Sequence, residues 1–232
     1  MDITSSEIAI PGPAGSIRAF GARPMAAGTY PAVIVIQEWW GLNTHIKDVA
    51  ARFAGEGYVA IAPDLYSRQG NQVTADPNEA GRLMMSLDKP DGVADLLAVV
   101  ADLKTAPQVK PDRIGVTGFC MGGSYTTLLA CASPDIKAAA AFYGEIPPDE
   151  TLAKLGCPLL YLYGTEDGWI QRADVDRLRD TLTQHGKTVD VQIYPGAPHA
   201  FFNDTRPDVY RERDAKDAWG RTLRLFERYL KA

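Results

Sequence analysis

The stretch Arg113-Ile114-Gly115-Val116-Thr117-Gly118-Phe119-Cys120-Met121-Gly122-Gly123 decides how the rest of the chain is read. Arg113–Thr117 has the branched, apolar character of a strand, and Gly122–Ala132 reads as a largely apolar, buried helix. Between them, glycines stand two residues before and two residues after a cysteine. A nucleophile on a sharp strand-to-helix turn needs that spacing, because any side chain at either flank would crowd the neighbouring strand or helix. A sulfur placed there also faces the positive end of the helix dipole, which favours negative charge. Cys120 is therefore the candidate nucleophile, in a slot that serine more commonly fills.

Outward from this turn, strands alternate with helices. Ala32–Ile36 and Tyr58–Ala62 are continuous apolar runs, as expected of strands covered on both faces of a parallel sheet. Ala138–Tyr143, Leu159–Tyr163 and Val189–Tyr194 read as further strands. Thr44–Glu56 is an amphipathic helix closed by Gly57. Asp91–Thr105 is another, with Val93, Leu96, Leu97, Val100 and Leu103 expected inward. Ala173–His185 and Tyr210–Leu230 complete the helices. Ser5–Ile10 and Ser16–Ala22 form a hairpin across a Pro/Gly-rich turn. Asp64–Lys89 is a polar excursion carrying one short helix, Glu79–Ser86. Repeated strand–helix–strand units predict an α/β fold, a mostly parallel central sheet with helices on both faces, as one domain over residues 1–232.

The bulk properties agree with an ordinary soluble globular protein. Apolar residues make up 46% and charged residues 23%, with a formal net charge of −5. An acidic balance argues against nucleic acid as a partner, since phosphate binding requires a basic face. No apolar run approaches the roughly 18 residues of a membrane span, and residues 1–15 lack the features of a secretory signal. Cys120, Cys131 and Cys157 have neither disulfide-framework nor zinc-site spacing, which fits a reducing, cytoplasmic setting without metal or cofactor. Cys131 and Cys157 are expected in the core.

A thiol nucleophile needs a base and an acid, and the chain order nucleophile–acid–histidine points to them. His45 in a first helical turn and His185 before a Gly cap are explained by capping and the helix dipole. His199 lies in the loop Pro195–Phe202 just after the last strand, at the sheet edge where reactive groups gather. Asp167, in Gly164-Thr165-Glu166-Asp167-Gly168 after another strand, is the acid, with Glu166 as the fallback. Its role is to fix the histidine tautomer and stabilise the imidazolium. Among the aromatics, Tyr125, Tyr143, Trp39, Trp40, Trp169 and Phe201 are pocket candidates. Trp39, Trp169 and Phe201 are favoured because they flank the proposed catalytic residues.

Gln37-Glu38-Trp39-Trp40-Gly41, Ala62-Pro63-Asp64-Leu65-Tyr66, the elbow, Gly164-Thr165-Glu166-Asp167 and Gly196-Ala197-Pro198-His199-Ala200-Phe201 together resemble the dienelactone hydrolase family of the α/β-hydrolase superfamily. The resemblance implies a Cys120–His199–Asp167 triad cleaving a small-molecule ester or lactone. It also implies a fourth player, Glu38, in contact with the resting Cys120 sulfur, and an oxyanion hole from the backbone N–H groups of Trp39 and Met121. The family's dienelactone-acid enzymes carry a pocket arginine four residues after the histidine. That position here is Asn203, leaving Arg82 and Arg206 as candidates to meet an anion. A thioesterase or acyl transferase on the same triad, or a non-catalytic binding protein of the same fold, are the alternatives. The oligomeric state is expected to be a monomer or a small homo-oligomer.

Overall fold

A computed structural model describes all 232 residues. The chain opens with an antiparallel hairpin, β1 (Ile3–Gly12) and β2 (Gly15–Pro24). β3 (Tyr30–Ile36), α1 (Thr44–Gly55) and β4 (Val59–Pro63) follow. The excursion holds a 3₁₀ turn at Ser67–Gln69 and α2 (Pro77–Ser86), and leads into α3 (Lys89–Thr105). Then come β5 (Val109–Phe119), α4 (Met121–Ala132), β6 (Ile136–Phe142), the short α5 (Asp149–Leu152), β7 (Leu159–Glu166), α6 (Arg172–Gln184), β8 (Val189–Pro198) and α7 (Glu212–Phe226). A π-turn, Glu227–Lys231, ends the chain. No helix is long and apolar enough to cross a membrane.

The eight strands lie in the order β1-β2-β4-β3-β5-β6-β7-β8, parallel from β4 onward and antiparallel at β1–β2 and β2–β4. Six of seven residues of β3 and all of β4 are buried, as continuous apolar runs between helical layers require. On one face, Phe53 of α1 packs on Trp219 and Phe226 at ring separations of 4.5 and 5.8 Å. α3 and α4 pack together against the other.

Several boundaries differ from the sequence reading for local reasons. α3 starts two residues early because the Asp88 carboxylate accepts from the Asp91 N–H, with Pro90 tolerated in the first turn. Its buried stripe is rotated: Leu96, Val99, Val100 and Leu103 face inward, Leu97 is exposed and Val93 half-buried. The cause is Asp95, which turns inward to take both 2.9 Å hydrogen bonds from Arg68. β7 and β8 run on past Tyr163 and Tyr194 across a register shift. Gly196 permits the extension by adopting φ +71°, a conformation costly to other residues.

Register positions the loops that matter. β3 and β5 are neighbours whose connections leave in opposite directions, which makes the crevice at their carboxyl ends a topological switch point. Ile36 lies beside Gly118, so the loop starting at Gln37 emerges next to Cys120. Phe119 lies beside Phe142, which sets Cys120 next to Tyr143. Glu166 lies beside Pro198, and the next residues on the two strands are Asp167 and His199.

Candidate active site

Cys120 sits at φ +56°, ψ −119°, a strained conformation for a residue with a side chain. The glycines around it make that turn possible. A β-carbon on Gly118 would strike the Gly122 carbonyl, one on Gly122 the Ile36 and Gln37 carbonyls, and one on Gly123 the Phe142 carbonyl. The elbow is thus wedged between β3 and β6 with no room for methyl groups. Cys131 is half-buried and Cys157 buried; burial pushes their thiols up to about 11 and about 12. Both remain protonated at neutral pH and are poor nucleophiles. Cys131 is less enclosed than its apolar helix suggested.

Asp167 is locked in place. Its Oδ1 accepts the Trp169 and Ile170 N–H groups at 2.8 and 2.9 Å, and its Oδ2 lies 2.8 Å from His199 Nδ1. Glu166, the fallback acid, is exposed and makes no such contact. With Nδ1 engaged, Nε2 is the ring nitrogen left for the sulfur. It has no partner within hydrogen-bond geometry, although Cys120 is close enough to couple to the ring. Burial disfavours the imidazolium, but the Asp167 bond and the neighbouring Cys120 sulfur outweigh it and raise the His199 pKa to about 10. Trp169 stacks on the ring at 5.4 Å, and Tyr143 approaches it at 4.9 Å.

Glu38 follows β3 directly and is 1% exposed. Its Oε2 accepts 2.7 Å from Asn203 Nδ2, whose own Oδ1 is held by the Thr205 N–H and hydroxyl. Its Oε1 has no partner. The expected bond between Glu38 and the Cys120 sulfur is absent, and Asn203 takes its place. Asn203 is therefore a member of the site, paired across 165 positions of chain, which no local motif could reveal. Burial raises the Glu38 pKa to about 7, against the lowering effects of the Asn203 bond, His199 and Arg206.

This shift has a consequence for stability. Below about pH 4.5 Glu38 is neutral in both folded and unfolded chains; between there and about 7 only the folded chain keeps the proton. Stability therefore falls as pH rises across that window, by about 3 kcal/mol from this group at 1.36 kcal/mol per pKa unit. Glu38→Gln should remove that part of the slope, so its Tm gains on wild type between pH 5 and pH 8. Parallel Tm–pH curves for the two proteins would show that Glu38 ionises normally.

The Trp39 N–H makes no hydrogen bond within the fold, and Met121 is the first residue of α4, where N–H groups lack helical partners. The buried Tyr66 holds the two together: its hydroxyl donates to the Trp39 carbonyl at 2.9 Å and lies 3.6 Å from the Met121 sulfur. These two N–H groups are free to receive a developing oxyanion.

A cavity of about 540 Å³ opens over Cys120, Met121 and His199. Trp169 lines it, with Tyr125 and Tyr143, which the sequence offered only as general aromatic candidates. Tyr143 takes φ +42°, is fully buried and has no partner for its hydroxyl. Four other expected contacts fall outside. Phe201 is buried against Tyr143 and Tyr194, because the turn after His199 points it into the core. Arg82 is exposed on α2, and Arg206 pairs with Asp208 over the Trp40 ring. Trp39 packs edge-on against Trp169 at 4.9 Å and is not itself a lining residue.

A mostly parallel sheet, a strained elbow at its switch point and an acid–histidine pair on later loops define an α/β-hydrolase. The dienelactone hydrolase family model matches residues 17–230, and the chain belongs to that family. By class it is a carboxylic ester or lactone hydrolase. A Synechocystis sp. protein assigned as a carboxymethylenebutenolidase is 39% identical over 246 residues, spanning 100% of this chain and 99% of its own. A Methylorubrum extorquens protein of the same assignment is 37% identical over 239 residues, spanning 98% and 82%. A Klebsiella pneumoniae crystal structure assigned as a dienelactone hydrolase superposes with a TM-score of 0.92 at 36% identity, over 99% of this chain and 100% of that one. A dienelactone hydrolase-like promiscuous phosphotriesterase from metagenomic libraries shares the fold, with a TM-score of 0.91 at 21% identity over 99% of each chain.

Proposed function

We propose that the protein cleaves a carboxylic ester or lactone through an acyl-thioester on Cys120. The observation that carries this reading is the pairing of Asp167 Oδ2 with His199 Nδ1 at 2.8 Å, beside a wedged cysteine and two free N–H groups, all at one cavity. The substrate carbonyl oxygen enters between the Trp39 and Met121 N–H groups, each worth about 10²–10³ in rate. Glu38 makes no bond to the resting sulfur, so substrate binding must first bring its unpartnered Oε1 to Cys120; the thiol proton then passes to it, and the sulfur adds to the carbonyl carbon. Protonated His199 gives its proton to the leaving oxygen as the C–O bond breaks, which leaves a thioester. Neutral His199 then takes a proton from water, and the hydroxide adds to the thioester. Collapse of that intermediate expels the thiolate and releases the acid. The thiolate recovers its proton from Glu38, and the cycle closes.

From a common tetrahedral adduct an ester oxygen leaves more readily than an amide nitrogen, which competes poorly with the sulfur, so esters and lactones suit the site better than amides. The test is rapid acid quench during turnover of 4-nitrophenyl acetate, followed by mass spectrometry of the digested chain. One acetyl group should appear on the peptide containing Cys120, with a burst of nitrophenol before steady state. An acyl group on any other peptide, or none with turnover intact, would overturn the thioester route.

A further inference from the structure

We propose that the cavity over Cys120 selects uncharged, apolar acyl groups and rejects those bearing a carboxylate, through an acidic rim built on Glu145 and the start of α3. This deepens the proposed function and rests on it for the position of the scissile bond.

The cavity walls are apolar: Met84, Leu87, Tyr125, Trp169 and Ile170. Besides His199, only two charged residues reach it, Lys89 and Glu145, and they are joined by a 2.7 Å ion pair. Lys89 is the first residue of α3 and Glu145 follows β6, so this pair bridges two elements across the rim. The Lys89 charge is already neutralised. Behind it stand Asp88, the cap of α3, and Asp91 and Asp95 within it. Their field reaches the cavity: the Tyr125 phenol in its wall is pushed up by burial first, then by Asp88, Asp91, Asp95 and Glu145. Arg68 pairs with Asp91 and Asp95. Two cations against four carboxylates give this group a net charge of −2, and of its members the Lys89–Glu145 pair lines the cavity itself.

Apart from His199, whose charge the proposed chemistry commits to the scissile bond, no other cation reaches the cavity. Arg206 faces Asp208 and Trp40, Arg82 lies outside the cavity, and the neutral Asn203 amide is held by Glu38. A carboxylate on the acyl chain, away from the scissile bond, would lose water, find no uncommitted cation beside it and meet repulsion at the entrance, which is a heavy penalty in an apolar site. An acyl or aryl group of the same size meets only van der Waals contact. A volume of about 540 Å³ lies in the range of small-ligand pockets.

The experiment compares 4-nitrophenyl butyrate with mono-4-nitrophenyl succinate, in which a carboxylate replaces the terminal methyl. Calorimetry on Cys120→Ala measures binding without turnover, and kcat/KM is measured on wild type. The expected result is a preference for the butyrate of about tenfold or more in both, narrowing at high salt. Glu145→Gln, which removes one carboxylate and frees Lys89, should narrow it by about fivefold. Equal or tighter binding of the succinate, or a ratio untouched by Glu145→Gln, would overturn the inference. If wild type turns over neither ester while the binding preference persists, the hydrolytic reading fails and the acidic rim stands.

Discussion

Cys120→Ala lowers kcat/KM for 4-nitrophenyl acetate by about 10⁴-fold or more, toward the uncatalysed rate, while the chain stays folded. Losses of this size are typical when a nucleophile is removed from a unit that acts together. The residual rate comes from the oxyanion N–H groups and binding alone. Alanine is well tolerated structurally, since it keeps a β-carbon in the φ +56° turn and removes only a sulfur facing the cavity. Circular dichroism and Tm should therefore match wild type closely. Cys120→Ser is the sharper version. Serine needs a neutral base to remove its proton, whereas His199, with its pKa near 10, is mostly protonated at neutral pH. A serine enzyme in this setting should be slower by several orders of magnitude. Retention of activity within tenfold by Cys120→Ala would remove Cys120 from the chemistry, since the raised pKa values of Cys131 and Cys157 offer no replacement, and retention by Cys120→Ser would count against the thiolate route.

Much of this site was legible in the sequence because its parts are local. The spacing of Gly118 and Gly122 about Cys120 marks the elbow, and Gly118 is blocked within its own turn, although the carbonyls that exclude side chains at Gly122 and Gly123 belong to β3 and β6. Asp167 and His199 each follow an apolar run, and parallel pairing of those runs brings them together; the Glu166–Pro198 register does the rest. What stayed hidden depends on distant contacts. The inward turn of Asp95 is set by Arg68, so a helical wheel of α3 misplaced Leu97. Asn203 looked like the loss of an arginine, yet its amide is the donor to a buried carboxylate. Phe201 and Tyr143 exchange expected roles because Ala200, at φ +64°, redirects the chain after His199. A phenylalanine directed into the core and a tyrosine directed into the cavity are indistinguishable by pattern. The ion pair of Lys89 and Glu145 joins residues with no sequence relation at all.

Asp167→Asn should cost about 10³–10⁴ in kcat/KM without unfolding the loop, and the hydrogen-bond pattern explains both halves of that expectation. Asp167 Oδ1 satisfies two backbone N–H groups, at 2.8 and 2.9 Å, and an asparagine oxygen can do the same. Its amide nitrogen is then forced toward His199 Nδ1. Two donors cannot face each other, so Nδ1 must give up its proton and accept, which moves the ring proton to Nε2 and points it at the sulfur. The imidazolium loses its carboxylate, and burial, the largest influence on this ring, then acts with less to oppose it. The His199 pKa should fall well below about 10. Proton transfer to the leaving oxygen fails for want of the charged ring, and the sulfur loses the cation that favours its anion. Nitrogen-15 NMR of the imidazole across pH measures the shift directly, alongside kcat/KM. Glu166→Gln is the matched control: its carboxylate is exposed and does not touch His199, so it should leave both readings within twofold. A wild-type histidine titration in Asp167→Asn would mean that neighbours other than this carboxylate hold the charge on the ring.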